Sequence, residues 1–271
     1  MGTNLTSHEC VRPLHISIGR IPLSLFIPGE NLHERALTRY RGFEESRAEG
    51  LPIFFGKGTK ADLGRDPSTA RSTEVSSASF SYVLDDALVR LDSSRAEFHG
   101  VRHEYALDSL LRILLTMILL PRRGFLLHAA TVVRDGRAYI FAGRSGAGKS
   151  TVASLSPAGT VLTDEISLLR FTDGCWHAYG TPFWGEFRAA GLNEHYPIAG
   201  IYALAQATDD RLEPLAAKEI LRALLPCVLF FTSNPEANRA LLHMLSGIAQ
   251  QVPCQRLYFR RTAEFWKVVA P

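Results

Sequence analysis

The chain is sparing with the features that mark several protein classes. It has four cysteines (Cys10, Cys175, Cys227 and Cys254) in 271 residues, far apart and with no C-x-x-C pair. That spacing argues against a zinc ribbon or a disulfide scaffold and fits a reducing, cytoplasmic setting. Charge of one sign is also scarce: 30 basic against 27 acidic residues leave +3, too little to call for nucleic acid or an anionic membrane as a partner. There is no long apolar run. The most apolar stretch, Leu107 to Leu120, carries Asp108 and Arg112 and is too short to span a bilayer. Residues 1–13 contain no apolar signal-peptide core. Gly2 and Thr6 fit a myristoylation pattern, but matches that short arise mostly by chance. No repeat or heptad pattern is present.

What remains is an ordinary globular composition, 46% apolar and 21% charged, at a one- or two-domain length. Residues 1–100 read as β-rich. Strand-like runs at His15–Ile18, Ile21–Phe26 and Leu51–Phe55 are separated by Gly, Pro and charged residues. Ala61 to Ser79 reads as an exposed loop or linker, and Phe80–Val83 with Ala87–Leu91 as a hairpin around Asp85-Asp86. Gly56 to Lys60 reads as a surface turn.

Residues 101–271 read as a separate α/β domain. Tyr105 to Leu120 is a nearly all-apolar helical run stopped by Pro121. Leu126–Val133 and Ala138–Ala142 read as a hairpin turned by Asp135-Gly136, which supplies the positive φ of a type I′ turn. Short strands are expected at Thr160–Thr163, Ile166–Arg170, Trp176–Tyr179, Gly200–Gln206 and Arg256–Phe259. Helices are expected at about Ala216–Leu225 and Asn234–Gln250, the latter capped by Ser233 with Glu236.

The segment that carries chemistry is Gly143-Arg144-Ser145-Gly146-Ala147-Gly148-Lys149-Ser150, followed by Thr151. It satisfies G-x-x-x-x-G-K-[ST] at every position, a match expected by chance in roughly one chain in a hundred. Glycines let successive N–H groups turn toward phosphate oxygens, and the helix starting near Lys149 adds its positive end. Lys149, expected to be exposed in the empty site, would sit on the β- and γ-phosphates of ATP, and Ser150 would ligate Mg²⁺. The competing reading is a glycine-rich turn that caps a helix. A second feature is Thr163-Asp164-Glu165 at a strand end, only fifteen positions past Lys149. Adjacent acids there suit Mg²⁺ binding and general-base work, against the alternative of an ordinary acidic turn. His99 and His103 could in principle bind a metal but have no further ligands nearby in sequence. Arg256, Arg260 and Arg261 read as a solvated strand edge, and Arg144, Arg188 and Arg211 as unranked candidates to stabilise a transferring phosphoryl group.

Four segments together resemble the catalytic domain of HPr kinase/phosphorylase, and more closely its shorter relatives, some of which phosphorylate lasso-peptide precursors. They are Leu127-His128-Ala129-Ala130-Thr131-Val132, the Asp135-Gly136 hairpin, the run from Phe141 to Thr151, and Leu162-Thr163-Asp164-Glu165. The resemblance implies a P-loop fold shared with phosphoenolpyruvate carboxykinase: a mixed sheet flanked by helices, here with a β-rich N-terminal portion. It implies a kinase acting on a Ser or Thr hydroxyl of a peptide or small protein. A small-metabolite kinase and a nucleotide sensor are the alternatives, and a homo-oligomer is compatible with either. By the same resemblance Asp164 would be the base, Lys149 and Ser150 would bind phosphate and Mg²⁺, and His128 would stand near the acids unless it is simply a core histidine. Glu165 replaces a frequent second Asp and would be a metal neighbour. In Thr181 to Glu186, Glu186 would approach the metal, unless that aromatic loop only closes the core. The dephosphorylation signature of the bifunctional enzymes is not recognisable.

Overall fold

A computed structural model describes residues 12–46, 50–56, 74–76, 79–84, 87–92, 94–157, 160–185, 191–232 and 234–270. The readings that fall on Gly2, Thr6, residues 57–60, Asp85, Asp86, Glu186, Arg188 and Ser233 lie outside them. The chain divides into two compact units, Met1–Leu110 and Leu111–Pro271.

The first unit holds a seven-stranded mixed sheet among its described residues. β1 (Leu14–Ile18) and β2 (Ile21–Phe26) form a hairpin, after which comes α1 (Glu30–Arg39). β3 (Leu51–Gly56) lies parallel to β2. β4 (Glu74–Ser76), β5 (Ser79–Leu84), β6 (Ala87–Leu91) and β7 (Ala96–His99) continue it as an antiparallel meander, and β7 closes onto β3 in parallel. The β-rich reading stands, with two additions: β4 falls inside the stretch read as a loop, and α1 has no counterpart in the sequence reading. At the unit's end, Asp108 accepts from Arg39 Nε (2.8 Å) and Tyr40 Oη (2.8 Å) with all three residues buried. Pairing a buried carboxylate with a guanidinium is what makes its burial tolerable. Asp108 sits in α2 (Glu104–Leu119), whose later turns belong to the second unit.

The second unit is a mixed sheet with helices on both faces. β8 (Gly124–Arg134) and β9 (Arg137–Ala142) form the expected hairpin, with Asp135 at φ 51° and Gly136 at φ 70°. The glycine-rich loop follows, then α3 (Lys149–Ser154), β10 (Val161–Thr163), β11 (Ile166–Thr172), β12 (Cys175–Tyr179) and the long β13 (His195–Gln206). After β14 (Arg211–Pro214) come α4 (Ala217–Leu224), β15 (Val228–Leu229), α5 (Pro235–Gln251), β16 (Cys254–Phe259) and α6 (Trp266–Val269). The eleven residues of β8 let its first half pair with β11 and its second half with β9 and β10. β13 runs parallel to both β9 and β16.

Strand alternation explains the two faces. Ile140 and Ile201 point into a core closed by Ile220 and Leu224 of α4 and Leu241 and Ile248 of α5. Their chain neighbours Phe141 and Tyr202 point the other way, onto Val152 of α3 and Trp266 and Val269 of α6. Fully burying one such side chain is worth about 1.5–3 kcal/mol relative to leaving it exposed, so both faces must be covered. The cap of α5 differs from expectation. Asn234, not Ser233, is the cap residue, its Oδ1 accepting from the N–H groups of Glu236 (2.8 Å) and Ala237 (3.2 Å) ahead of Pro235 in the first turn.

Candidate functional site

Strand register brings the chemically active residues together at one end of the second unit. β9, β13 and β16 are parallel, and ligands of such sheets gather outside the carboxyl ends of their strands. β9 ends at Ala142 and runs directly into Gly143–Gly148. Ala203 pairs with Ala142, so Gln206 lies just beyond, where its Nε2 donates to the Gly146 carbonyl at 2.9 Å. Gln206 pairs in turn with Phe259, which places Arg261 at the same rim. On the other side Ala129 of β8 pairs with Ala142, and His128 pairs with Ile166 at the start of β11. The acidic turn Asp164-Glu165 therefore falls beside the glycine loop, fixed there by the Ala129 N–H donating to the Glu165 carbonyl at 3.0 Å.

The loop needs its last glycine. Gly148 has φ +112°, and a Cβ there would lie 2.6 Å from Phe259 Cζ, so both conformation and space exclude a side chain. Lys149 is 7% exposed, against the expectation of an exposed side chain. The reason is local: its Nζ curls back and donates to the carbonyls of Gly143 (2.9 Å) and Arg144 (3.2 Å), solvating the ammonium with the loop's own backbone.

Together these residues enclose a cleft of about 390 Å³, within the size range of small-molecule sites. Its floor is Ser145, Gly146, Gly148, Lys149, Ser150 and Thr151; His128, Asp164, Glu165 and Gly185 form one wall, and Gln206 and Arg261 the other. Of the residues predicted to bind nucleotide, Gly143 and Ala147 do not line it. Gly143 offers its carbonyl to Lys149, and the Ala147 N–H donates to the Arg144 carbonyl at 3.1 Å, closing the loop on itself.

The acidic wall is held by the segment after β12. Thr181 Oγ1 donates to the Ile166 carbonyl at 2.6 Å, and Thr163 Oγ1 reaches the same carbonyl at 3.0 Å. Gly185 N–H faces both oxygens of Asp164, which is 5% exposed. Arg112 of α2 stands behind Glu165, Nη2 to Oε2 3.4 Å, with its guanidinium 5.1 Å from the Phe183 ring centroid. Burial pushes the His128 pKa down, and the nearby charges of Lys149 and then Arg112 add to it, so the imidazole is neutral at neutral pH. Oxygen donors from Ser150, Asp164 and Glu165 on one cleft form a set that suits a hard divalent cation rather than a soft metal.

Residues 106–270 match the family model for the SynChlorMet cassette protein ScmC. The chain belongs to this family. Every cleft residue named above lies within the matched span. No curated protein matches the chain.

Gln206 is not singled out by the sequence, Arg261 reads there only as part of a solvated edge, and Arg112, which backs the cleft, only as a charge in an apolar run. Gln206 and Arg261 reach the cleft only through the parallel register of β9, β13 and β16, which local pattern does not disclose. Arg112 sits in the apolar run of α2 and reads there as an isolated interruption of a core helix. Arg211 of β14, a phosphoryl-stabilising candidate, is instead engaged by Asp209 at 2.7 Å and lies off the cleft. Arg144 is exposed and does not line it. His99 lies 3.6 Å from Glu97, and among the described residues no group of three potential ligands surrounds it or His103. No helix of the described residues is long and apolar enough to cross a membrane.

Proposed function

We propose that this protein is an ATP- and Mg²⁺-dependent kinase that transfers the γ-phosphoryl group to a hydroxyl, on a Ser or Thr of a peptide or small protein. The observation that carries the reading is the meeting of Lys149 and the glycine loop with Asp164, Glu165 and His128 around a single cleft. Either feature alone has a bland alternative. A glycine turn needs no acid beside it, and an acidic turn needs no lysine held over a loop of backbone amides.

In this reading Gly143–Gly148 is a phosphate-binding loop of the HPr kinase type. Lys149 leaves the carbonyls of Gly143 and Arg144 for the β- and γ-phosphates, exchanging two neutral acceptors for charged ones. Ser150 and Glu165 would hold Mg²⁺, which supplies charge neutralisation across the phosphates when bound. Asp164 accepts the proton of the acceptor hydroxyl as that oxygen attacks the γ-phosphorus in line; the bond from γ-phosphorus to the bridging oxygen breaks, and ADP leaves. His128 stays uncharged beside it. Burial first, then the charges of Lys149 and Arg112, lower its pKa and so keep it uncharged at neutral pH. Arg112 holds Glu165 in place by an ion pair at 3.4 Å.

The direct test is incubation with γ-labelled ATP, Mg²⁺ and a pool of Ser- and Thr-containing peptides. Label appearing on peptide supports the kinase. Nucleotide binding without label on any acceptor would leave a nucleotide sensor in its place.

A further inference from the structure

The phosphoryl-transfer chemistry uses the floor and the acidic wall of the cleft and leaves the opposite rim without a task. That rim is built with care. Arg260 and Arg261 follow β16 side by side, and their treatment differs. Arg260 is neutralised by Asp210, with Nε to Oδ2 at 3.0 Å, Nη2 to Oδ2 at 2.7 Å and its N–H to Oδ1 at 2.7 Å. Arg261 makes no ion pair among the described residues; its Nη2 donates one long bond, 3.4 Å, to Gln206 Oε1. The amide of Gln206 is spent on both sides, since its Nε2 donates to the Gly146 carbonyl at 2.9 Å. A chain of two hydrogen bonds thus links the apex of the glycine loop to an uncompensated guanidinium that lines the same cleft as Lys149.

A guanidinium carries five N–H donors in a planar fork that suits pairs of phosphate oxygens, and among the described residues one of the five is used, on a neutral acceptor. Two cations on one cleft, one buried in the loop and one on the rim, attract an anion carrying charge at more than one point. We infer that Arg261 is a second cation for the polyphosphate of the nucleotide, with Gln206 as its positioning residue, and that it makes the site discriminate nucleotides by their number of phosphates. This rests on the phosphate-binding reading of the loop. On binding, the unused N–H groups of the fork take the charged phosphate oxygens, while Nη2 keeps its bond to Gln206 and Gln206 its hold on Gly146.

The test is calorimetric titration of ATP, ADP and AMP, with Mg²⁺, into wild type, Arg261→Ala, Arg261→Lys, Gln206→Ala and the Arg261→Ala/Gln206→Ala double variant. A charge-assisted contact at an exposed rim predicts about a tenfold loss of ATP affinity in Arg261→Ala, with AMP almost unchanged. Arg261→Lys should recover part of the loss, since it keeps the charge without the fork. Gln206→Ala should lose less than Arg261→Ala, and the double variant should bind ATP as Arg261→Ala does, because the two act in series. Arg261 is exposed, so the ligand-free melting temperature of Arg261→Ala should equal wild type. Unchanged ATP affinity in Arg261→Ala, or an equal loss for all three nucleotides, overturns the inference while leaving the loop's role intact. If wild type binds none of the three, the phosphate-binding reading falls and this inference falls with it.

Discussion

The backbone N–H of Gly185 lies 3.3 Å from each carboxylate oxygen of Asp164. Four residues earlier, the Thr181 hydroxyl donates to the carbonyl of Ile166, two residues past that same aspartate. The segment 181–185 is thereby latched to the acidic turn at both ends. Gly185 also packs closely, since a Cβ there would lie 3.1 Å from Glu165 Oε2. The orientation of the two acids is thus a property of this latch as much as of the strands that flank them.

Thr181→Val keeps the shape of the side chain and removes the donor. The Ile166 carbonyl would retain Thr163 as a partner, so the cost should fall near the lower end of the usual range for a buried hydrogen bond, about 1 kcal/mol. For a chain of this size that is a drop of roughly 2–4 °C in melting temperature. Label transfer should fall more than ATP affinity, because the glycine loop is untouched. An unchanged melting temperature would mean that the hydroxyl does not hold the turn.

Lys149→Ala should cost the ligand-free protein stability as well as nucleotide binding. The two bonds from Nζ to Gly143 and Arg144 are lost, but both carbonyls lie in a loop that water can reach, so about 1 kcal/mol is expected. In wild type, Mg·ATP at about 100 times Kd should stabilise the fold by roughly 2.7 kcal/mol. In Lys149→Ala most of that gain should vanish. A thermal shift equal to that of wild type would remove the lysine from the binding site.

The glycine loop, the acidic turn and the hairpin around Gly136 could be read from the sequence because their signals are local. Glycine spacing, an Asp-Gly turn and a carboxylate pair each act over a few residues. α1 could not, for a physical reason: in Glu30 to Arg39 the apolar residues are Leu32, Ala36 and Leu37, and only Ala36 of them is buried, so no continuous apolar stripe announces it. Arg39 itself is buried because Asp108 meets it 69 positions later. Asn234 displaces Ser233 as a cap because it stands directly before Pro235, the residue best suited to the first helical position. Arg261 reads as a solvated edge until the parallel register of β13 and β16 brings it to the cleft. Pairings between segments fifty or more residues apart leave no local mark, and Gln206 and Arg261 reach the candidate site through them.

The depressed pKa of His128 makes a stability prediction for the ligand-free protein. Its ordinary value is 6.5, and in the folded state burial, then Lys149, then Arg112 lower it. Just below pH 6.5 the unfolded chain therefore binds more protons at this site than the native one, and stability falls as the pH drops through that window. His128→Gln should flatten this part of the stability profile. In Lys149→Ala, with one cation gone, the His128 titration followed by NMR should move up toward its ordinary value. A His128 midpoint at or above 6.5 in wild type would contradict the neutral imidazole assigned to the cleft.

Whether Asp164 is the base of a kinase is decided by transfer from γ-labelled ATP by wild type and by Asp164→Asn, alongside ATP binding by both. The substitution is nearly isosteric and removes the group assigned to take the acceptor's proton. General-base assistance is typically worth about 10²–10⁴-fold in rate. Wild type should label a Ser or Thr peptide, and Asp164→Asn should bind Mg·ATP near-normally with transfer reduced by about 10²-fold or more. Full transfer by Asp164→Asn, or a wild-type protein that binds Mg·ATP and labels no acceptor, would contradict that role.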